Sequence, residues 1–397
     1  MMYKMEKTCK KNALMFSIKN TLMLIFLVST VMGFHIWIVC KALSVLGDVT
    51  TIIVVNHGKR SLKSWPDDSV YILNWDKHLD TRNIFYGCCT APKCILTKDK
   101  NYFGKDYKYF DAMLFSEKYL ESTNRPKTNI NMLNIFISIQ PKNKKAVCDN
   151  YYDDFFNLTF TYRLDSDIVW KDFVFQSFSQ EIIAPSLSPA WNTSFNPINQ
   201  EIKSIIQQKT KSVAYIDCKL ENWTRPYLSK LQKHLDVYSL KIYKNNCSNI
   251  SDKEVDNGIL KNEYMFYIIF EDYFAEDYVT GKILQAYNDN VVPIIFGGAN
   301  YTRFLPPHSY IDGRVTNPSD IAKVINDSLN NYTVYEEYFK WTNLYNIVNY
   351  QPFCDLCEAL NKPINKPGKK DFRRWWNGQD MQQCLVPESK NDTSKSE

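Results

Sequence analysis

The feature that most constrains the fold is a run of seven apolar and aromatic residues, YMFYIIF, at Tyr264–Phe270. No charged side chain interrupts it, which is typical of a strand buried on both faces of a parallel sheet. A helical pattern follows at Glu276–Asn288, and a second apolar run at Val291–Phe296 ends at Gly297-Gly298. The order strand, helix, strand predicts a parallel βαβ unit, because parallel neighbours need a crossover connection.

Further strand and helix candidates precede this unit and predict an α/β fold. Strands are predicted at Val70–Trp75, Lys108–Ser116, Leu133–Ile139 and Ser212–Cys218, and helices at Ile198–Lys209 and Arg225–His234. Prolines at 185, 189 and 197 mark a domain junction. We therefore expect one domain over residues 69–195 and a second over residues 196–386, with a cleft between them.

An uncharged segment at residues 20–40 has the length that a bilayer core requires, about 20 residues. Five lysines and one glutamate precede it, so the positive-inside bias predicts that residues 1–19 stay cytoplasmic. The alternative, a cleaved signal peptide, would have a shorter apolar core of roughly 7–15 residues and a small-residue cleavage site. We expect a signal anchor, a stem at residues 41–68, a lumenal remainder and a disordered polar tail at residues 387–397.

The net charge of +5 comes from the N-terminal end of the chain. Residues 1–41 contain six lysines and one glutamate, whereas residues 42–397 contain 42 basic and 42 acidic side chains. A nucleic-acid-binding protein carries a basic excess on its folded domain. The charge distribution therefore argues against a nucleic-acid partner and supports the membrane topology.

Cysteines and glycosylation sequons both indicate a lumenal, oxidising compartment. Nine of the eleven cysteines follow the apolar segment, and so do all Asn-X-Ser/Thr sequons. Cys354 and Cys357, with Cys384, could be part of a zinc site, but no fourth ligand lies nearby in the sequence, so disulfides are preferred. The disulfide candidates are Cys88, Cys89, Cys94, Cys354, Cys357 and Cys384, and the glycosylation candidates are Asn157, Asn192, Asn222, Asn326 and Asn331.

Polar residues at the carboxyl end of the strongest strand form a candidate ligand site. Glu271 and Asp272 follow Phe270, and the predicted helix places Tyr278 and Lys282 four residues apart on one face. Lys282 can neutralise a phosphate, and Glu271 can accept hydrogen bonds from ribose hydroxyls. A nucleotide or another phosphorylated ligand fits this set. The alternative is an ordinary βαβ unit with a solvated lysine.

The same segment, FEDYFAEDYVTGKI followed by VVPIIFGGANYTRFLPPHSYID, resembles the donor-binding motif of the α1,3-fucosyltransferase family. Blocks at residues 94–115, 157–167, 212–240 and 338–360 resemble that family in the same order. The resemblance implies a GT-B fold of two Rossmann-like domains, with an N-terminal acceptor-side domain and a C-terminal GDP-fucose-binding domain. It implies inverting transfer of fucose from GDP-fucose to a GlcNAc hydroxyl of a glycoprotein glycan, without a metal ion. It also implies a single-pass type II Golgi membrane protein.

Carried over residue by residue, the resemblance gives a set of site residues that departs from the family pattern in places. The general-base position falls at Gln140, where the family has Glu, and an amide cannot accept the proton of the attacking hydroxyl. The donor-binding positions are Arg225, Glu271, Asp272, Tyr278, Gly281 and Lys282. Asp272 stands where the family has Asn, and Gly281 where it has a Glu that contacts the ribose.

Two further departures concern the phosphates and the acceptor side. The family's phosphate-binding Arg falls at Thr224, one residue before Arg225, and Trp170-Lys171-Asp172 stands where the family has Pro-Tyr-Gly. Asp165-Ser166-Asp167 has the spacing of a metal-binding D-X-D motif of a GT-A transferase, but the resemblance places it in the acceptor domain. These departures leave two hypotheses: an active fucosyltransferase-type enzyme, or an inactive member that keeps the fold and binds a glycan or partner. Another acid in place of Gln140 would favour the first.

Overall fold

The computed structural model describes residues 69–76, 94–104, 106–122, 125–127, 132–141, 146–193, 197–216, 224–240, 259–364 and 367–384. The predicted cytoplasmic tail, anchor and stem, the C-terminal tail, and Cys88, Cys89 and Asn222 lie outside these residues. Within the described part of the chain, no helix is both long enough and apolar enough to cross a membrane. The chain divides into two compact units, and the three sheets lie in the unit formed by residues 66–98 and 108–397.

From Gln200 onward, helices lie between most of the strands, as expected for an α/β fold, whereas eight strands precede Gln200 with only short 3-10 helices among them in the described residues. The strands are β1 (Val70–Asn74), β2 (Cys94–Thr97), β3 (Ala112–Ser116), β4 (Leu133–Ser138), β5 (Leu158–Thr161), β6 (Ile168–Val169), β7 (Phe173–Ser177), β8 (Ile182–Ala184), β9 (Lys211–Ile216), β10 (Val237–Leu240), β11 (Tyr264–Phe270), β12 (Val292–Phe296), β13 (Ile311–Asp312) and β14 (Tyr345–Asn349). The helices are α1 (Gln200–Ile206), α2 (Thr224–Leu231), α3 (Ile259–Glu263), α4 (Lys282–Asn288), α5 (Pro318–Asn330), α6 (Tyr332–Glu336), α7 (Pro352–Leu360) and α8 (Phe372–Asn377).

The first sheet has six parallel strands in the order β2-β1-β3-β4-β5-β6. All five residues of β4 from Asn134 to Ser138 are buried, because β4 lies inside the sheet between β3 and β5. The carboxyl ends of parallel strands lie at one edge of the sheet. This edge carries the turn that follows β4 and contains Gln140.

The second sheet has five parallel strands in the order β10-β9-β11-β12-β13. Its centre is β11, in which the first six residues are buried. Side chains alternate between two cores on opposite faces: Phe266 and Ile268 lie in one, and Tyr267 and Ile269 in the other. The register pairs the last residue of β11 with the last residue of β12, so the segments that follow both strands start side by side.

A small antiparallel sheet, β14-β7-β8, connects the two parallel sheets. Strand β7 starts shortly after the last strand of the first sheet, yet Phe173 and Phe175 share a buried core with Tyr267 and Ile269 of β11. Burial of aromatic side chains removes large apolar areas from water and is strongly stabilising. This shared core therefore fixes the segment after β6 against the second sheet.

The C-terminal segment returns to the first sheet. Phe353 and Leu356 of α7 pack with Phe160 of β5 in the core of that sheet. On α8, the ring of Phe372 lies 5.0 Å from that of Phe136 in β4, in an edge-on arrangement. The last described helices therefore contribute to the hydrophobic core of the strands that come first in the chain.

Two disulfides reinforce this return. Cys94 at the start of β2 is bonded to Cys357 of α7, and Cys148 is bonded to Cys384, across 263 and 236 residues of sequence respectively. Cys354 is disulfide-bonded as well. Cys148 is absent from the candidates taken from the sequence, since nothing in its local pattern marks it.

Most predicted strands agree with the structure, and one predicted helix does not. Tyr264–Phe270 forms a strand with the predicted bounds, and the strands predicted at Val70–Trp75 and Leu133–Ile139 are each one residue too long. The helix predicted over Glu276–Asn288 is wrong in its first half, because α4 begins only at Lys282. The preceding residues form an irregular loop with Asp277 at a φ of 62°.

Candidate active site

Glu271 directly follows the last residue of β11, and its side chain is buried. Its amide donates to the carbonyl of Phe296 at 2.8 Å, and its side chain is only 4% exposed. The carboxylate accepts a hydrogen bond from the amide of Thr280 at 3.0 Å and one from the Thr280 hydroxyl at 2.8 Å. Burial raises the pKa of Glu271 to about 7, against the lowering effect of nearby Lys282. The ribose contact predicted for Glu271 stays a prediction, and its observed partner is Thr280.

Gly297 and Gly298 allow the loop after β11 to pack against the end of β12. A Cβ on Gly297 would lie 2.5 Å from the Tyr301 hydroxyl and 2.8 Å from Cγ of Glu271. A Cβ on Gly298 would lie 2.2 Å from the amide nitrogen of Ala275. Both approaches are shorter than van der Waals contact, so this predicted βα junction requires glycine for close packing.

Lys282, the first residue of α4, lies at the carboxyl end of β11. Its Nζ donates to the carbonyl oxygen of Phe270 at 3.0 Å and to Oδ1 of Asp272 at 2.8 Å. The side chains of Lys282 and Asp272 are 39% and 62% exposed, so their ion pair adds little stability. The ammonium group is thus held at the sheet edge while it remains accessible to an anionic ligand.

Tyr278 and Gly281 are not within the helix, contrary to the sequence prediction. Tyr278 precedes α4, is 4% exposed, and packs edge-on against Tyr162 and Tyr273. Burial raises the pKa of Tyr278, so it stays a neutral packing residue. Gly281 is the N-cap of α4, with φ −61° and ψ −8°. The bonds between Glu271 and Thr280 account for the late helix start, because they tie the loop to the strand end.

Asp172 connects the first sheet to the start of α4. Its Oδ2 accepts a hydrogen bond from the Gly281 amide at 3.1 Å, and its Oδ1 accepts one from Nε1 of Trp170 at 3.0 Å. Burial raises the pKa of Asp172 even though both bonds lower it. In the sequence, Asp172 is marked only as the last residue of the Trp170-Lys171-Asp172 segment, which stands where the family has Pro-Tyr-Gly. An acid at the position where the family has glycine was the sequence signal that could have identified Asp172 as a site residue.

Gln140 lies two residues beyond β4 and is half-buried. Its backbone oxygen is 3.0 Å from the hydroxyl of Ser138, and that hydroxyl also bonds to the carboxylate of Glu117. Glu117 is 5% exposed. The buried acid Glu117 therefore lies beside this turn, where it contacts Ser138.

Arg225, the second residue of α2, is exposed, whereas Thr224 is 1% exposed. Because α2 follows β9, its first turn lies on the side of the sheet where the carboxyl ends of the strands meet. The residues that connect β9 to α2 lie outside the described part of the chain. Arg225 as a phosphate ligand remains a prediction.

A cavity lies between segments that follow strands of both parallel sheets. It is small and opens to solvent. Its walls come from the turn after β4, the segments after β5, β6 and β8, the start of β7, and the loops after β11 and β12. The lining residues are Ile139, Tyr162, Trp170, Lys171, Asp172, Phe173, Pro185, Asp277, Val279 and Phe304. Ile139 is the neighbour of Gln140. The cavity thus brings the predicted base turn and Asp172 to one place.

Both carboxylates of the D-X-D spacing accept hydrogen bonds from other groups of the protein. Asp165 accepts hydrogen bonds from Arg163 and from Nε1 of Trp375, and Asp167 accepts two from Thr159. Among the residues that the structure describes, no group of three or more His, Cys, Asp or Glu side chains is arranged to hold a metal ion. These carboxylates instead stabilise the turn between β5 and β6.

Comparison with known proteins shows the family to which the chain belongs. The sequence model described as glycosyltransferase family 10 (fucosyltransferase) C-term matches residues 206–375, and the one described as fucosyltransferase, N-terminal matches residues 67–172. The chain belongs to glycosyltransferase family 10, the fucosyltransferases. The two matches cover both parallel sheets and most of the residues that line the cavity, whereas Phe173 and Pro185 lie between the matched ranges.

Relatives and solved structures carry related names. Alpha-(1,3)-fucosyltransferase C of Drosophila melanogaster is 29% identical over 338 residues, which are 80% of this chain and 77% of that protein. Glycoprotein 3-alpha-L-fucosyltransferase A of the same organism is 27% identical over 300 residues, which are 73% of this chain and 56% of that protein. A crystal structure of an alpha1,3-fucosyltransferase with GDP-fucose aligns with a TM-score of 0.44 and 14% identity, covering 78% of this chain and 95% of that one.

Proposed function

We propose that this family member transfers fucose from GDP-fucose to a GlcNAc hydroxyl of a glycoprotein glycan, with inversion at the anomeric carbon. The observation that carries the proposal is the position of Lys282, whose Nζ is held 3.0 Å from the last carbonyl of β11 and stays accessible. Ligands of open parallel sheets bind beyond the carboxyl ends of the strands. A cation fixed at that edge suits the pyrophosphate of a nucleotide sugar.

The chemistry needs positive charge on the departing GDP and a proton acceptor for the attacking hydroxyl. Lys282 supplies the first, with Arg225 as a second cation from the neighbouring βα segment. Glu271 has a different task in this proposal: through Thr280 it fixes the loop from which Lys282 emerges. The two parallel sheets act as donor and acceptor domains of a GT-B enzyme, and no metal ion takes part.

Location follows from the part of the chain that precedes the first sheet. In this proposal residues 20–40 anchor the protein in the Golgi membrane as a single-pass type II protein, with residues 42–397 in the lumen. The disulfides of the C-terminal segment support an oxidising compartment. The acceptor is then a glycan on a secretory glycoprotein, for example the GlcNAc of an N-glycan core or antenna.

A second candidate function is a catalytically inactive lumenal protein that binds a glycan or partner through the same fold. The amide of Gln140 at the predicted base position favours it. The test is one assay series on the full chain purified in detergent: GDP binding by calorimetry, and release of GDP from GDP-fucose with a panel of GlcNAc-terminated glycans. Binding with transfer supports the enzyme. Binding without transfer supports the second candidate, and absence of GDP binding contradicts both uses of the donor site.

A further inference from the structure

Two carboxylates line the cavity, Asp172 and Asp277, and Asp172 is the one without an ion-pair partner among the described contacts. Its two bonded donors, the Trp170 indole and the Gly281 amide, are both uncharged. A carboxylate offers about four acceptor positions, so each oxygen keeps one after these bonds. Asp172 forms part of the cavity wall. A hydroxyl that enters the cavity therefore meets a fixed acceptor.

The other acids near the site are already engaged. Asp277 also lines the cavity, but it accepts from the Leu164 amide at 3.1 Å and pairs with the Arg303 guanidinium at 3.3 Å. Its charge is thus partly neutralised within the protein. Asp272 pairs with Lys282, and Glu271 is occupied by Thr280, as described above. Neither pairing leaves a carboxylate that faces the cavity.

Glu117 is the remaining rival, since it lies beside the turn that contains Gln140. Its side chain is 5% exposed and is bonded to the Ser138 hydroxyl. Glu117 does not line the cavity, whereas Ile139 and Asp172 do. Of these two carboxylates, only Asp172 forms part of the cavity wall.

Asp172 also lies next to the start of α4, the helix that carries Lys282. Gly281, which donates to Asp172, is followed directly by Lys282 at the start of α4. A Cβ added to Gly281 would have Cβ of Asp172 as its nearest neighbour, at 3.9 Å. The glycine therefore keeps open space between the acid and the helix that carries the pyrophosphate-binding lysine.

We propose that Asp172 is the proton acceptor of the transfer. This inference rests on the proposed function. As the acceptor oxygen bonds to C1 of fucose, its proton passes to Oδ of Asp172. The bond between C1 and the phosphate oxygen breaks at the same time, and GDP leaves with the electron pair. Gln140, which cannot take this proton, then contributes only to the cavity wall.

The burial of Asp172 supports this role, because it raises the pKa of the carboxyl and makes the carboxylate a stronger base than an exposed aspartate. The other titratable and charged groups that line the cavity are Tyr162, Lys171 and Asp277, and Lys171 forms an ion pair with Asp355 at 2.7 Å. Tyr278 also lies near Asp172.

The test compares Asp172→Asn with the matched variant Glu117→Gln in the full chain. Two turnover assays are used: fucosyl transfer to a GlcNAc-terminated glycan, and hydrolysis of GDP-fucose, in which water replaces the acceptor. We expect Asp172→Asn to lower kcat in both about 10²–10⁴-fold, the usual contribution of a general base, with GDP affinity unchanged. Glu117→Gln should keep kcat within a factor of about 3, because it leaves the proton acceptor in place.

Wild-type turnover by Asp172→Asn, or a large loss in Glu117→Gln alone, would overturn the inference and leave the proposed transferase standing. A wild-type chain that binds GDP but neither transfers nor hydrolyses would overturn the proposed function, and the inference with it. If Asp172→Asn does not fold, Asp172→Glu decides. The added methylene displaces the carboxylate, so kcat should fall at least about 10-fold at unchanged GDP affinity, and an unchanged kcat contradicts the role.

Discussion

Thr280 holds the buried carboxylate of Glu271 by two hydrogen bonds, one from its amide and one from its hydroxyl. The residues are nine positions apart, and the loop between them closes on the end of β11. Because of this closure α4 begins at Lys282, which lies next to the strand end. The contact therefore decides where Lys282, the cation of the proposed donor site, lies.

The stability of the protein should depend on the titration of Glu271. Burial raises its pKa from 4.5 to about 7, so the folded state holds this proton more tightly than the unfolded chain. The contribution is fully present below pH 4.5 and is lost as the pH rises through about 7. We expect the unfolding free energy of Glu271→Gln, from urea denaturation, to vary less over that range than the wild-type value. Equal pH dependence would contradict the raised pKa.

Lys282→Ala should weaken GDP binding without loss of fold. A charge-assisted contact contributes roughly 1.5–3 kcal/mol, which corresponds to an affinity loss of about 10–100-fold. Calorimetric titration with GDP measures it. Lys323→Ala is the control, because Lys323 is an exposed lysine of α5 paired with Asp327. Equal affinities of the two variants would mean that Lys282 is an ordinary solvated lysine.

Gln140→Glu should leave turnover nearly unchanged if Asp172 accepts the proton. The new carboxylate would add a second acid at the turn, and we expect GDP-fucose turnover within a factor of about 3 of the wild type. A gain of about 10²–10⁴-fold would instead place the base at position 140 and show that the natural chain is catalytically impaired. The kcat for GDP release distinguishes the two results.

Removal of the disulfide between Cys148 and Cys384 should destabilise the protein. The bond closes a loop of 236 residues and holds the segment after α8 to the first sheet. We expect the double variant Cys148→Ala, Cys384→Ala to lose about 2–5 kcal/mol of unfolding free energy, measured by denaturant titration. A dithiothreitol-treated wild-type sample, with all disulfides reduced, should lose at least as much. An unchanged midpoint in the variant would show that packing alone holds the segment.

Lys209 should be a large contributor to stability although it is a buried cation. Its Nζ donates to the carbonyls of Leu260, Lys261 and Asp289 at 3.2, 2.5 and 3.1 Å. Lys209→Met leaves these buried acceptors unpaired, at about 1–3 kcal/mol for each one that water cannot reach. We expect a clear fall in Tm by calorimetry, and little change for the exposed Lys233→Met. Equal Tm values would contradict this role.

The sequence by itself determined the buried strands and the family. Continuous apolar runs such as Tyr264–Phe270 are long enough to be read locally, because a strand covered on both faces needs no polar alternation. The FEDYFAEDYVTGKI string likewise indicates a ligand site at the end of this strand, because Glu271 follows Phe270 directly in the chain. Short edge strands such as Ile168–Val169 carry too few residues for a pattern and were not predicted.

Only the tertiary structure decided which distant residues meet. The helix predicted from Glu276 was wrong because a contact with Glu271 overrides the local helical pattern. Asp172 reaches the Gly281 amide across 109 positions of sequence, and Cys148 finds Cys384 across 236. Such pairs depend on how two sheets and a returning C-terminal segment pack. Packing energy is set by the whole set of buried surfaces rather than by the residues next to each partner in the chain.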